Sequence, residues 1–224
     1  MHVKDLQMKP IIIITGPPQS YTSLVSKFLL DNGGYSEDLM GDPNEVLNYE
    51  RFESKNLEDF IKQKKWFKKG DLTDFFASLP ADQVITLKMP FIVQFLDELK
   101  NFTDREIRIV YAIRNPQDTI LSSIKKSGWS FIYFFERLSW YHNFIAHTRL
   151  PVFALITEQL LLKNEHTARQ LLSFCSLEKT EINFTGIDHG KVVHRKPTYI
   201  QYRFANFLWK RLSRFFRVFN DVEK

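Results

Sequence analysis

The sequence predicts an α/β fold of three layers, in which a central, mainly parallel sheet is flanked by helices on both faces. Short apolar runs, rich in β-branched residues and bounded by turn-forming residues, predict strands at about 11–15, 83–88, 107–113 and 152–156. Stretches with a helical pattern separate successive strands, as parallel connections require. Ligands of such folds bind at the carboxyl ends of the strands, so the residues that follow each strand are the first candidates for a functional site.

The first predicted strand leads into a loop that could bind phosphate. A run of four isoleucines is followed by this loop and then by a helical pattern from Leu24 to Leu30. Backbone amides and hydroxyl groups would converge at the amino terminus of that helix, which favours anions. A tight strand-to-helix connection without a ligand is the alternative interpretation. The candidate binding residues are Gly16, Pro17, Pro18, Gln19, Ser20, Tyr21, Thr22 and Ser23.

This loop lacks the features of an ATP-hydrolysing P-loop. Such a loop carries lysine and then serine or threonine after its second glycine. Here Tyr21 stands where that glycine would fall, and residues 15–23 contain no lysine. ATP hydrolysis, and a small-molecule kinase of related fold, are therefore disfavoured.

The second predicted strand ends in a lysine. Residues 83–90 have the sequence QVITLKMP, which places Lys88 at the strand end and predicts a helix from Phe91 to Leu99 after it. Taken alone, this pattern is that of a strand-end lysine that reaches solvent.

The third predicted strand ends in Arg114 and leads directly into a helix that carries Ser122. A guanidinium beside a helix amino terminus, with a hydroxyl along the same helix, suits a phosphate group. Asn115 as N-cap, Pro116 at the first helical position and Asp118 in the first turn are also an ordinary way to begin a helix. Capping explains those three residues, but it requires neither the arginine nor the serine.

The pattern Arg114-x-Pro116-x-Asp118-x-x-x-Ser122 resembles the 3′-phosphate-binding motif of sulfotransferases, whose sulfonate donor is 3′-phosphoadenosine-5′-phosphosulfate. The loop at 16–23 is similar to the 5′-phosphosulfate loop of that family, commonly Gly-x-Pro-Arg/Lys-Ser-Gly-Thr-Ser/Thr. It departs at Gln19, where the family carries a cation, and at Tyr21, where it carries glycine. The resemblance covers about residues 10–178 and implies a P-loop-like sulfotransferase fold.

The resemblance also implies roles for individual residues. Arg114 and Ser122 would hold the 3′-phosphate and the loop the 5′-phosphosulfate, with Gln19 donating a hydrogen bond but bringing no charge to the reacting group. Lys88, similar to the lysine of a Lys-Asp-Pro strand end in the family, would stabilise charge on the transferred sulfonate. Arg195 and Lys196 would lie over the nucleotide. The catalytic base stays open among Glu37, Asp38, Asp42, Glu45 and Glu50.

The implied reaction moves a sulfonate to a hydroxyl or amine on a carbohydrate or small metabolite, and the candidate acceptors include a glycan and a lipid-linked molecule. The second hypothesis is a catalytically impaired nucleotide-binding or scaffold protein of the same fold. It is motivated by Gln19 and Tyr21, since the loss of one preorganised stabiliser costs about 10²–10³ in rate.

Composition predicts one domain over residues 1–224, because 224 residues with 44% hydrophobic content can bury a sizeable core. No stretch reaches the roughly 18 apolar residues of a membrane span, which favours a cytoplasmic protein. The single cysteine, Cys175, fits a core position in a reducing compartment. The six histidines lack the spacing of a metal site, so we expect no metal. We also expect no nucleic-acid partner.

Two basic segments leave alternatives open. Residues 62–69 (KQKKWFKK) would attract an anionic ligand or form one solvated helix face. A helix predicted at about 198–219 places phenylalanines at helical spacing and basic residues on its other faces. It would close over the core, contact an anionic membrane surface or meet a partner subunit, and the oligomeric state stays open.

Overall fold

A sheet of four parallel strands in the order β2-β1-β3-β4 forms the centre of the molecule. The computed structural model describes residues 8–37, 53–62, 69–115, 118–119, 131–185 and 187, and every structural statement below refers to these. The strands are β1 (Ile11–Thr15), β2 (Ile85–Lys88), β3 (Ile107–Ile113) and β4 (Val152–Ile156). The α/β class with a parallel central sheet is thus confirmed.

Helices connect these strands and cover both faces of the sheet. A Pro residue at the first position begins the 3-10 helix after β2, and the Asn164 side chain caps the last helix by accepting a hydrogen bond from the Thr167 amide at 3.0 Å. The helices are α1 (Thr22–Asp31), α2 (Lys55–Lys62), α3 (Lys69–Ser78), the 3-10 helix (Pro90–Asn101), α4 (Phe131–His147), α5 (Thr157–Leu161) and α6 (Glu165–Phe174).

Most predicted elements are present, with three differences. The bounds of β1, β3 and β4 are as predicted, but β2 begins at Ile85 because residues 81–83 form a turn before it. The helix predicted from Phe91 is present as a 3-10 helix, and α1 begins two residues earlier than predicted. The helix predicted at 198–219 lies outside the described residues.

Successive residues of each buried strand point to opposite faces, so two apolar clusters form. Lys88 pairs in register with Ile14, which belongs to the cluster beneath α1. The α1-side cluster contains Ile12, Ile14, Leu24, Val25, Phe28, Leu29, Val110, Leu155, Leu171 and Leu172. The α4-side cluster contains Ile11, Ile13, Leu57, Phe60, Leu72, Phe76, Leu87, Ile92, Ile109, Tyr111 and Tyr141.

One side chain ties the amino ends of three strands together. Arg105 is only 7% exposed, and its guanidinium donates to main-chain carbonyls that precede β1 and β2 while its own backbone leads into β3. The acceptors are Lys9 O at 2.7 and 3.0 Å, Gln83 O at 2.9 Å, Pro80 O at 3.0 Å and Leu79 O at 3.4 Å.

A buried tyrosine and a half-buried histidine form a pair in the α4-side layer, away from α1. The Tyr111 hydroxyl lies 3.2 Å from His142 Nδ1, and the two rings meet edge to face with centroids 5.6 Å apart. Burial lowers the pKa of His142 below its ordinary value of 6.5. The folded protein therefore holds this imidazole neutral under conditions in which the unfolded chain would protonate it.

His142 is expected to make the fold acid-sensitive. Because its folded pKa lies below its unfolded pKa, the stability it contributes is complete above about pH 6.5 and is lost as the pH falls toward the folded pKa. Thermal unfolding of the wild type and of His142→Gln, measured between pH 7.5 and 5.5, should show a smaller loss of Tm in the variant. Exposed His166→Gln is the matched control. Parallel curves for wild type and His142→Gln would contradict the assignment.

Candidate functional site at the carboxyl edge of the sheet

Three strand ends meet at one edge of the sheet. In the parallel register Ile14 pairs with both Lys88 and Val110, so the loop after β1, the end of β2 and the residue after β3 lie side by side. The sequence-predicted residues Gln19, Lys88 and Arg114 all belong to these three segments. Their predicted placement on a common edge is therefore correct.

Gly16 allows the loop after β1 to pack directly against β3. A Cβ at this position would lie 2.6 Å from the Ala112 carbonyl oxygen and 2.6 Å from Ser20 Oγ. The first of these is backbone and cannot give way cheaply. The glycine predicted from the loop pattern is thus required here by close approach of the chain, whatever the loop binds.

The next part of the loop carries two strained residues. Gln19 and Tyr21 have φ angles of 67° and 62°, in the left-handed region that non-glycine residues rarely occupy. Such a conformation costs about 1–2 kcal/mol per residue. Tyr21 also takes the N-cap position of α1 without a side-chain capping bond. Strain of this kind persists where the surroundings enforce it, which is common at binding sites.

Lys88 is buried and does not extend to solvent. The residue is 2% exposed, and its Nζ donates to Ser23 Oγ at 2.9 Å and to Glu53 Oε1 at 3.3 Å. Ser23 belongs to the first turn of α1. The ammonium is therefore held at the amino terminus of α1, beside the loop, and adds positive charge where the helix dipole already favours an anion.

Glu53 is a residue of this site that the sequence reasoning missed. Ser54 holds this part of the chain beside Lys88, because its amide donates to the Lys88 carbonyl at 2.8 Å. Its Oγ accepts from the Leu57 amide at 3.3 Å and so caps α2. The acids predicted as candidates for the base all lie before residue 51. Ser54 ahead of the amphipathic start of α2 was the available signal, since serine commonly marks a helix start.

Arg114 lies behind the loop in close contact with it. The residue is 9% exposed, its Nη1 donates to the Gln19 carbonyl at 3.3 Å, and its Cζ lies 4.1 Å from the centroid of the Tyr21 ring. Its Nε is buried and has no hydrogen-bond partner in the described part of the chain. The guanidinium thus retains an unused donor.

Two further buried polar atoms at this edge of the sheet have no hydrogen-bond partner among the described residues. They are Ser20 Oγ and Glu158 Oε2. The other oxygen of Glu158 accepts from the Asn115 amide at 2.7 Å. Buried polar groups are nearly always satisfied in folded proteins, so the orphaned donors Arg114 Nε and Ser20 Oγ indicate a place for an anionic ligand, whereas Glu158 Oε2 can only accept a hydrogen bond.

The Tyr21 hydroxyl remains neutral in this environment. Burial raises its pKa above 10.0, the Arg114 guanidinium lowers it, and the carboxyl groups of Asp118 and Glu158 raise it again. The phenol therefore contacts the guanidinium through its uncharged ring, which is the geometry of a cation–π interaction.

Several predicted site residues cannot be placed. Ser122, Arg195 and Lys196 lie outside the described residues.

Within the described ranges, no three His, Cys, Asp or Glu side chains are grouped so that they could hold a metal ion. The helices of those ranges include none that is long and apolar enough to cross a membrane. Cys175 lies in the core as predicted, and burial raises the pKa of its thiol to about 12.

Comparison with solved structures shows the sulfotransferase fold. The chain is similar to the sulfotransferase domain of the olefin synthase from Synechococcus PCC 7002, with a TM-score of 0.54 and 13% identity over 89% of this chain and 86% of that domain. Weaker likenesses are to a sulfotransferase from Alicyclobacillus acidocaldarius (TM-score 0.45, 12% identity, 79% of this chain and 85% of that one) and to mouse sulfotransferase SULT7A1 complexed with PAP (0.42, 13%, 85% and 70%).

No family model and no curated protein matches this sequence. The fold predicted from the motif at Arg114 and the loop after β1 is nevertheless confirmed.

Proposed function

We propose that this protein is a sulfotransferase that uses 3′-phosphoadenosine-5′-phosphosulfate and transfers its sulfonate to a hydroxyl or amine, on a carbohydrate or small metabolite. The observation that carries the proposal is the pair of buried cations, Lys88 and Arg114, on either side of one strand-to-helix loop. Burying a charge costs free energy unless the charge is paired and hydrogen-bonded, and Arg114 keeps an unpartnered Nε among the described residues. Here both lie at the edge where α/β proteins bind ligands.

Each cation has a distinct role in this proposal. The amides and hydroxyls of the loop and the first turn of α1 hold the 5′-phosphosulfate, and Lys88 stabilises the charge that accumulates on the transferred group in an in-line displacement. Arg114 holds the 3′-phosphate through its unused Nε, together with Ser122. Arg195 and Lys196 complete the nucleotide site. Gln19 donates a hydrogen bond at the reacting group.

Glu53 is the acid that we assign as the acceptor-side base. Its carboxylate contacts Lys88 at 3.3 Å and is 23% exposed, so it is reachable from solvent while close to the residue that faces the sulfonate. A base must lie within hydrogen-bond reach of the proton it removes, and a hydroxyl attacking next to Lys88 meets this requirement.

The second candidate function is nucleotide binding without turnover. The specific observation that favours it is the loop itself, which lacks the cation found in the family and carries Tyr21 over Arg114. A cytoplasmic location and contact of the C-terminal segment with an anionic membrane or a lipid-linked acceptor belong to the first proposal, supported by the lone thiol and by the basic, aromatic pattern at 198–219.

Calorimetry followed by an activity screen tests the proposal. Adenosine 3′,5′-bisphosphate should bind the purified full chain in the absence of magnesium, and Arg114→Ala should bind it at least tenfold more weakly. Radiolabelled sulfonate transfer is then screened over glycans, phenols, alcohols and amines.

The outcomes separate the hypotheses. Binding with transfer supports the sulfotransferase, whereas binding without transfer to any acceptor favours the second candidate. No binding of the bisphosphate, or binding of ATP with magnesium in its place, would overturn the proposal.

A further inference from the structure

Two positions separate this loop from the sulfotransferase pattern, and both of them contact the same guanidinium. The main-chain carbonyl of Gln19 accepts from Arg114 Nη1 at 3.3 Å, and the ring of Tyr21 lies over Arg114 Cζ at 4.1 Å. The loop lacks a cation of its own at residue 19, while the residue two positions later brings an aromatic face against a cation from β3. The contact of Gln19 is made by its main chain, so Tyr21 is the departure whose side chain acts on Arg114.

The geometry of Arg114 shows how it is held. One face of the guanidinium is covered by the ring and Nη1 is used by the loop carbonyl, while Nε is buried without a partner among the described residues. The residue is 9% exposed, so water does not compete strongly for the stack. A cation over an aromatic ring is held more firmly when it is desolvated. The contacts fix the position of the charge and leave the Nε donor unused by the described residues.

The backbone of the loop is consistent with this role. Tyr21 has a φ of 62°, a conformation that glycine would adopt without strain. A tyrosine is retained there at a conformational cost, which indicates that its side chain contributes something that glycine lacks. The ring packs against the α1-side cluster and stacks on Arg114, and the stack is a contact with a charged group that glycine could not make.

We propose that Tyr21 is a positioning residue that holds Arg114 against the loop, so that the guanidinium and its unused Nε stay in place for the 3′-phosphate of the nucleotide. The inference rests on the proposed function, because it concerns the same phosphate-binding site. Tyr21 is not an obstruction in this view. Restoring the glycine of the family pattern should weaken binding of the nucleotide rather than relieve a blockage.

The experiment compares adenosine 3′,5′-bisphosphate binding by calorimetry in Tyr21→Gly, Tyr21→Leu and Tyr21→Phe. The glycine and leucine variants are expected to bind about tenfold more weakly than the wild type, whereas phenylalanine, which keeps the ring, should restore binding to within about twofold. Thermal unfolding of each variant is measured in parallel. Glycine suits the φ of this position, so at least one weakened variant is expected to retain the fold.

A double-mutant cycle separates positioning from general loop damage. In an Arg114→Ala background, Tyr21→Gly should cause little further loss, because the ring then has no guanidinium to hold. Equal or tighter binding by Tyr21→Gly in the otherwise wild-type chain would overturn the inference alone. Additive losses in the cycle would also overturn it. A wild type that binds no bisphosphate would overturn this inference together with the proposed function.

Discussion

Lys88→Met is expected to lower the kcat of sulfonate transfer by about 10²- to 10³-fold, which is the effect of removing one preorganised donor from charge developing in a transition state. Methionine keeps most of the volume and the apolar stem while removing the ammonium. In the folded protein that ammonium is 2% exposed and already lies at the amino terminus of α1, 2.9 Å from Ser23 Oγ. It therefore needs little reorganisation to meet the transferred group.

The measurement separates catalysis from binding. Adenosine 3′,5′-bisphosphate lacks the sulfonate, so its Kd should change far less than kcat in Lys88→Met. The exposed Lys100→Met is the matched control and should change neither. A variant that transfers sulfonate at the wild-type rate would show that Lys88 only ties β2 to α1. Glu53→Gln should also lower kcat, because it removes the proposed base while the Lys88 ammonium is kept.

Arg105→Met is expected to lower the free energy of unfolding by about 3 kcal/mol or more, because hydrogen bonds from a charged donor contribute about 1.5–3 kcal/mol each and are not additive. The guanidinium is 7% exposed and donates to four main-chain carbonyls, those of Lys9, Leu79, Pro80 and Gln83. Desolvation by burial lowers its pKa, but an arginine stays protonated. Its loss removes partners from several carbonyls at once.

Denaturant unfolding and thermal scans provide the measurement. For a chain of this size the expected loss corresponds to a Tm lowered by about 6–12 °C. Arg105→Lys keeps the charge but loses the planar fork, so it should lie between wild type and Arg105→Met. The exposed Arg149→Met should have almost no effect. Because Arg105 lies at the amino edge of the sheet, bisphosphate binding well below the Tm should be unchanged. A loss below about 0.5 kcal/mol in Arg105→Met would contradict this account.

The parallel sheet and its ligand edge were predictable because strand ends carry a local signal. The isoleucine run of β1 and the apolar run before Arg114 are short, rich in β-branched residues and followed by polar residues. The predicted bounds of both strands therefore agree with the structure at each end. β2 was predicted too long, since Gln83 and Val84 suit a strand by composition. The turn at 81–83 and the bond from Arg105 to the Gln83 carbonyl depend on contacts that are distant in sequence.

The candidate site was predictable in its members but not in their contacts. Lys88 was placed correctly at a strand end, yet only the sheet register shows that it turns toward α1 and is buried. Glu53 is 35 residues away in sequence, and no periodic pattern indicates that the chain returns to β2 at that point. The stack of Tyr21 on Arg114 joins residues from different elements, so the sequence shows only that Tyr21 departs from the glycine of the family pattern.

Ser54 joins two elements through one residue, since its amide binds the last carbonyl of β2 and its hydroxyl caps α2. Both partners of Ser54 are main-chain groups, the Lys88 carbonyl and the Leu57 amide. The position of the neighbouring Glu53 beside Lys88 therefore does not depend on the side chains on the outer surface of α2. That surface is therefore free to diverge. Relatives could exchange its residues to suit different acceptors while the distance between carboxylate and ammonium stays the same.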